Sequence, residues 1–470
     1  MNAIQATLRR EQTSGELRRL RDEIGKWSAR RTRADAVRQH VTQLTSLETT
    51  LSEALTRIGT LADDHGAGDL RGSYDYFREL DRQVTLVRRV WRWFADKYDQ
   101  RDVASTVRVL RAADEVVWSV HAQAHRAGGA TPLPPAPLPF IDEIDTPEAI
   151  PRDEPARELR PDKFDDVLAA ALARLPIPVI ALPAVALAEP WRLILIGHEV
   201  GHHLQYDLAE NRQLIATVGI AVQDAAGGGD TGRRFRAWSQ ELFADLVGLA
   251  ATGPGLITGL LTYELGADAH VLARGRGRYP APAVRFALLA EMCQILRLRP
   301  GADLAGVDVA AWTTGRDNDP LAAQRTAARE DIALVAKVAR TLVELDLDGR
   351  GTVSELLALD PAAFGPQGTV AHVAESLREG NGADQAGLDV VRQLTAAAIT
   401  AWRKVQGVTD DDQREKQKEQ LAARIVERLV ASREPGTRAA EAVSAGRPDP
   451  ALVSLFAGEL PPAAMSGGTR

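Results

Sequence analysis

Residues 197–204 read Gly-His-Glu-Val-Gly-His-His-Leu, and the spacing of their histidines decides how the rest of the chain is read. On an α-helix, residues four apart sit about 40° apart around the axis and one turn along. His198 and His202 then point to one side and can share a cation. Glu199 directly follows His198, so it flanks such an ion and can take a proton from water there. The apolar flanks Trp191, Leu193, Leu195, Ile196 and Leu204 fit a buried helix. Alone, the pattern also fits a helix carrying two ordinary histidines and a carboxylate.

Thirty-nine positions past His202 comes Glu241, in the string Glu-Leu-Phe-Ala-Asp that ends at Asp245. Glu241 and Asp245 again share one helix face, while Phe243, Leu246 and Leu249 would turn to the core. The 470 residues include one cysteine, Cys293, which rules out an internal disulfide and a Cys-rich zinc site. Cys293 lies in an apolar helix, where a thiol is buried and inert. A metal must therefore be held by histidine and carboxylate. Catalytic zinc takes three protein ligands and leaves a position for water. His198, His202 and Glu241 meet that need with one Zn2+ per chain, and Asp245 can fix the tautomer of a ligating imidazole.

These two strings resemble the gluzincin class of zinc metallopeptidases, closest to its HtpX and CAAX-prenyl-protease type, without the membrane helices. The resemblance covers roughly residues 175–290. It implies His198, His202 and Glu241 as zinc ligands, Glu199 as general base and Asp245 as the acid that orients a ligand. The family continues with His-Pro and an Arg; here Tyr279, Pro280 and Arg285 stand in the corresponding string, with Tyr279 in the histidine position. A tetrahedral oxyanion needs a donor besides zinc. Tyr279, His270, His203 and Arg285 are the candidates, with Tyr279 and His270 taken as catalytic and Arg285 as a supporting residue behind the ligands. In such peptidases the edge strand before the motif helix pairs with extended substrate, so residues 179–186 are expected to bind peptide by β-augmentation, Pro183 restricting them to an edge or bulge. The implied fold is mainly α with an α+β, zincin-like core carrying a small edge-stranded sheet, flanked by helical bundle regions.

Outside this core the chain is helical in pattern. Residues 1–127 carry apolar stripes at Leu17, Leu20, Ile24 and Trp27, from Val41 to Leu61, and from Leu80 through Val84, Val87, Trp91 and Phe94 to Tyr98. They read as an N-terminal bundle or coiled-coil region whose seam forms an internal core or binds a partner or a second copy. Arg30, Arg31 and Arg33 read as a solvated face. Residues 128–160 are a Pro-rich linker or strap. Residues 161–300 form the peptidase core, including a helix at 164–175, a helix from Pro190 through the motif, and a Gly227–Gly229 loop near the active site. Residues 301–433 form a C-terminal helical region, and residues 434–470 a tail expected to be disordered. The calcium-like string at 346–357 lacks two ligand positions and reads as a turn.

Lys and Arg number 57 against 64 Asp and Glu, a formal net charge of -7, which argues against a nucleic-acid partner. The N-terminus shows no apolar signal segment, and the most apolar run, 175–188, is too short to span a bilayer. A cytoplasmic protein with no stable membrane insertion is expected. The function expected is a zinc metalloendopeptidase acting on a protein or peptide, one specific partner protein included. The alternative is a helical scaffold that binds a partner through an inactive or non-peptide-amidase core; an intact Glu199 argues against inactivity.

Overall fold

The computed structural model describes residues 3–31, 40–64, 70–130, 133–150, 177–209, 213–264, 266–274, 277–299, 307–315, 319–382, 386–433 and 453–454. The expected helix at 164–175 and nearly all of the expected tail lie outside them. Among the described residues the fold is mainly α with one small sheet, as expected from the sequence.

Three long helices come first: α1 Ala3–Arg31, α2 Val41–Asp64 and α3 Leu70–Asp99. Their stripes meet in one core of Leu17, Leu20, Ile24, Trp27, Leu44, Leu51, Leu55, Val84, Val87, Phe94 and Tyr98. The seam is thus internal to the chain. Arg31 departs from the expected solvated face: it is buried and pairs with Asp99 at 2.7 Å and with Asp102. Arg30 is exposed, and Arg33 is outside the described residues.

The fourth helix, α4 Val107–Ala127, falls inside the expected N-terminal region but packs elsewhere. Its Val109, Ala113, Val116, Val117 and Val120 join the core of the motif helix. Apolar residues on two of its faces explain this, because a helix covered on both sides becomes a central element.

The sheet separates the two cores. Strands β1 Leu138–Asp142, β2 Glu148–Ile150 and β3 Val179–Pro183 are ordered β1-β3-β2. β1 runs parallel to β3, and β2 antiparallel. Strand alternation sends Val179 and Ala181 to the bundle core and Ile180 and Leu182 to the second core. β3 is therefore the central strand, not the edge strand expected, and the edge beside the motif helix is β2. Pro183 is tolerated because it is the last residue of β3.

A 3₁₀ turn, Pro190–Leu195, leads into α5 Ile196–Asp207, the motif helix. α6 Gln213–Ala225, α7 Gly229–Thr252, α8 Gly255–Glu264 and α9 Pro282–Ile295 complete this region. Gly227, Gly228 and Gly229 all have positive φ and make the tight turn into α7. That turn lies about 18 Å along α7 from Glu241, at 1.5 Å per residue, so it is not an active-site loop. The C-terminal region adds α10 Ala322–Ile332, α11 Val335–Val343, α12 Thr369–Glu379, α13 Leu388–Gln406 and α14 Asp411–Ala431. Trp191 stacks on Trp402 of α13, with ring centroids 5.8 Å apart. The 346–355 string is a turn closed by Asp346 and a capping box of Thr352 and Glu355. Among the described residues, no helix is long and apolar enough to cross a membrane.

Candidate metal centre

Small residues bring the two motif helices together. A Cβ added at Gly201 on α5 would lie 2.8 Å from Ala244 Cα on α7, and one at Gly197 would lie 3.4 Å from Gly248 Cα. Gly197 and Gly201, and Ala244 and Gly248, each sit one turn apart, so the backbones touch along two turns. At that spacing, short side chains on one helix reach ligands on the other.

His198 Nε2 and His202 Nε2 are 3.1 Å apart. Glu241 Oε2 lies 3.4 Å from the first and 3.6 Å from the second. A tetrahedral ion bonded at 2.0–2.1 Å has ligand atoms about 3.3 Å apart. The triangle therefore matches three corners of such a site, and its donor set suits zinc. Glu241 is 1% exposed, and His198 is buried.

Behind the triad runs a chain of charged hydrogen bonds. His198 Nδ1 lies 2.9 Å from Asp245 Oδ1, so the carboxylate faces that nitrogen and the Nε2 side of the ring is turned to the triad. Arg285 grips Asp245 with two bonds, Nε to Oδ2 at 2.8 Å and Nη2 to Oδ1 at 2.7 Å, and reaches Glu264 with Nη1. Arg285 is 4% exposed and fully committed to these carboxylates, so it supports the ligand shell and is removed from the oxyanion candidates. Burial alone would lower the His198 pKa; the hydrogen bonds to Asp245 and Glu241 outweigh it and push the imidazole up to about 10. Burial opposes ionisation of Glu241, but hydrogen bonds from His198 and His202 hold it well below the usual carboxylate range.

Glu199 is buried beside the triad, and its Oε2 accepts from the Ala149 backbone N–H at 2.7 Å. In an antiparallel pair, successive residues turn their N–H and C=O alternately toward and away from the partner strand. Ala149 turns its N–H away from β3 and into the cleft. The cleft encloses about 540 Å³, and β2, α5, α8 and the loop before α9 line it.

Of the remaining candidates, Tyr279 lies on the cleft wall and is 43% exposed, its hydroxyl accepting from Arg278 Nη2 at 2.8 Å. Burial and, next, the Glu241 charge push its phenol up, so it stays protonated. His270 lines the cleft from an exposed turn. His203 also borders it, but its Nε2 is 3.1 Å from the Val179 carbonyl, which ties α5 to β3. Two residues escaped the sequence reading. Ala149 has no chemical signal in sequence, because its backbone does the work. Arg278, whose Nε is 3.4 Å from Glu241 Oε1, was hidden in a string of alternating Arg and Gly.

Compared with known proteins, the chain matches no family model, no curated protein and no solved structure. The gluzincin resemblance therefore rests on these residues alone.

Proposed function

We propose that the chain is a zinc-dependent metalloendopeptidase. The observation that carries the reading is the 3.1–3.6 Å triangle of His198, His202 and Glu241 with Glu199 beside it in a cleft. A zinc ion held there would supply Lewis acidity toward a carbonyl and lower the pKa of a bound water to about 7. Glu199 takes the proton of the attacking water and delivers it to the leaving amine. Arg278, 3.4 Å from Glu241, and Tyr279, which it donates to, are the charged and hydroxyl groups on the cleft wall that would meet negative charge on the substrate oxygen. The substrate backbone pairs with the outer edge of β2, through the carbonyl of Ala149, whose N–H is held by Glu199. An edge strand beside the acid–base residue favours a peptide over other amides. A cytoplasmic setting belongs to the same proposal.

The test uses zinc-loaded full-length protein and a proteome-derived peptide library read by mass spectrometry. Wild type cleaves, while Glu199→Gln retains its zinc and does not. Equal processing by both proteins would rule out Glu199 as the general base.

A further inference from the structure

Among the described residues, a second set of imidazoles and a carboxylate comes together away from the cleft. His121 and His125 lie one turn apart on α4, the same spacing as His198 and His202, and are 0% and 2% exposed. Their rings stand 4.3 Å apart, tilted by 51°. Asp207, the last residue of α5, brings a carboxylate to them. One ligand atom from each of the three lies within 4.8 Å of the others.

We propose that His121, His125 and Asp207 form a second divalent-metal site, of the zinc-binding class, that staples the motif helix to α4. Two imidazoles and a carboxylate are the donor set of zinc and its transition-metal neighbours. An ion bonded at zinc distances would bring the three atoms, now within 4.8 Å of one another, to about 3.3 Å apart. The site is separate from the triad. Asp207 follows His202 by five residues, so it projects about 140° around α5 from that ligand. A dinuclear catalytic centre needs its metals about 3.5–4 Å apart on one side, which this placement does not provide. Both imidazoles are buried out of reach of a substrate, so the role is structural. α4 is the helix on which α5, α13 and α14 all pack, and the staple would anchor the C-terminal end of the ligand-bearing helix to it.

This proposal is independent of catalysis. Full-length protein is stripped with a chelator and titrated with Co2+, whose absorption reports coordination, and zinc content is measured after reloading. Wild type is expected to bind two ions, His198→Ala/His202→Ala one, and Asp207→Ala one. Circular dichroism checks folding; should His121→Ala/His125→Ala fail to fold, the half-buried Asp207 variant carries the test. Zinc should also raise the Tm of the folded His198→Ala/His202→Ala variant and leave that of the same variant with Asp207→Ala unchanged. Two ions retained by Asp207→Ala, or none bound by folded His198→Ala/His202→Ala, would overturn the second site. One ion in wild type, kept by His198→Ala/His202→Ala and lost by Asp207→Ala, would instead sink the peptidase centre and leave the staple standing.

Discussion

At the scale of single residues, the ligand His198 is set by what stands behind it. Asp245 faces its Nδ1 at 2.9 Å, and Arg285 holds Asp245 through two bonds. Removing the carboxylate frees the ring to turn and leaves Arg285 buried without its main partner. Asp245→Ala should weaken zinc binding about 10–100-fold, as loss of such supporting bonds typically does, read by competition with a chromogenic chelator. Unchanged affinity would mean that Asp245 only fills space. The same ring also sets a pH dependence. In the metal-free protein the His198 pKa is raised to about 10, so the imidazole is charged at pH 7 and must lose its proton to bind zinc. Zinc binding should release about one proton from this ring, seen as a heat that varies with buffer ionisation enthalpy in calorimetry, and affinity should climb with pH toward 10. The pairing stabilises the metal-free fold fully below pH 6.5 and ceases to do so as pH rises through about 10.

At the scale of elements, α5 and α7 work as a pair because their contact is built from small residues. Gly201→Ala places a Cβ 2.8 Å from Ala244 Cα and 3.0 Å from Val247 Cβ. Backbone cannot yield as a flexible side chain would, so the helices must spread. A loss of about 1–3 kcal/mol in stability is expected from overpacking, with weaker zinc binding as Glu241 draws back. Denaturant unfolding of metal-free protein measures the first, and chelator competition the second. The helix-borne part of the site was legible in the sequence for a physical reason. Spacings of four fix faces locally, so His198 with His202 and Glu241 with Asp245 could be paired before any contact was known. His121 and His125 share that spacing and were passed over, because no acid follows His121 as Glu199 follows His198 and no second motif marks Asp207. The strand-borne part was not legible. β2 has three residues and no alternating pattern, and its pairing with β3 spans a long gap in sequence. The apolar string at 179–183 looked like an edge because Pro183 argues against a central strand, yet it is central and merely ends there.

At the scale of the whole molecule, the three-stranded sheet and one buried ion pair join the N-terminal bundle to the second core. Arg101, just past α3, donates from Nη2 to Asp114 on α4 at 2.6 Å and to the Pro139 carbonyl of β1 at 3.0 Å. His40 closes the group, its Nε2 3.2 Å from Asp114. Removing one partner of such a pair strands the other in the interior, so Asp114→Ala should cost about 3–5 kcal/mol by denaturant unfolding. Burial works against the Asp114 charge, but the Arg101 guanidinium beside it lowers the pKa to about 2. A depressed carboxylate stabilises above its unfolded value of 3.8, and that contribution, about 2 kcal/mol, is lost as pH falls toward 2. Burial also lowers His40, so stability begins to fall earlier, below pH 6.5, where the unfolded chain takes up a proton that folded His40 resists. An acid titration of wild type should show both losses, and Asp114→Asn should lack the one between 3.8 and 2. The sheet, pinned between two cores, holds β2 and Ala149 against Glu199, so the bundle contributes to the cleft through the strand it buries.

The proposed activity depends on one ion being held by two helices. Its most direct test is an anomalous difference map, recorded at the zinc edge, from crystals of the zinc-loaded protein. The expected result is a peak at about 2.0–2.1 Å from Nε2 of both His198 and His202 and about 2.0–2.2 Å from a Glu241 oxygen. A map with no peak between those three side chains, in crystals that hold zinc elsewhere, would contradict it.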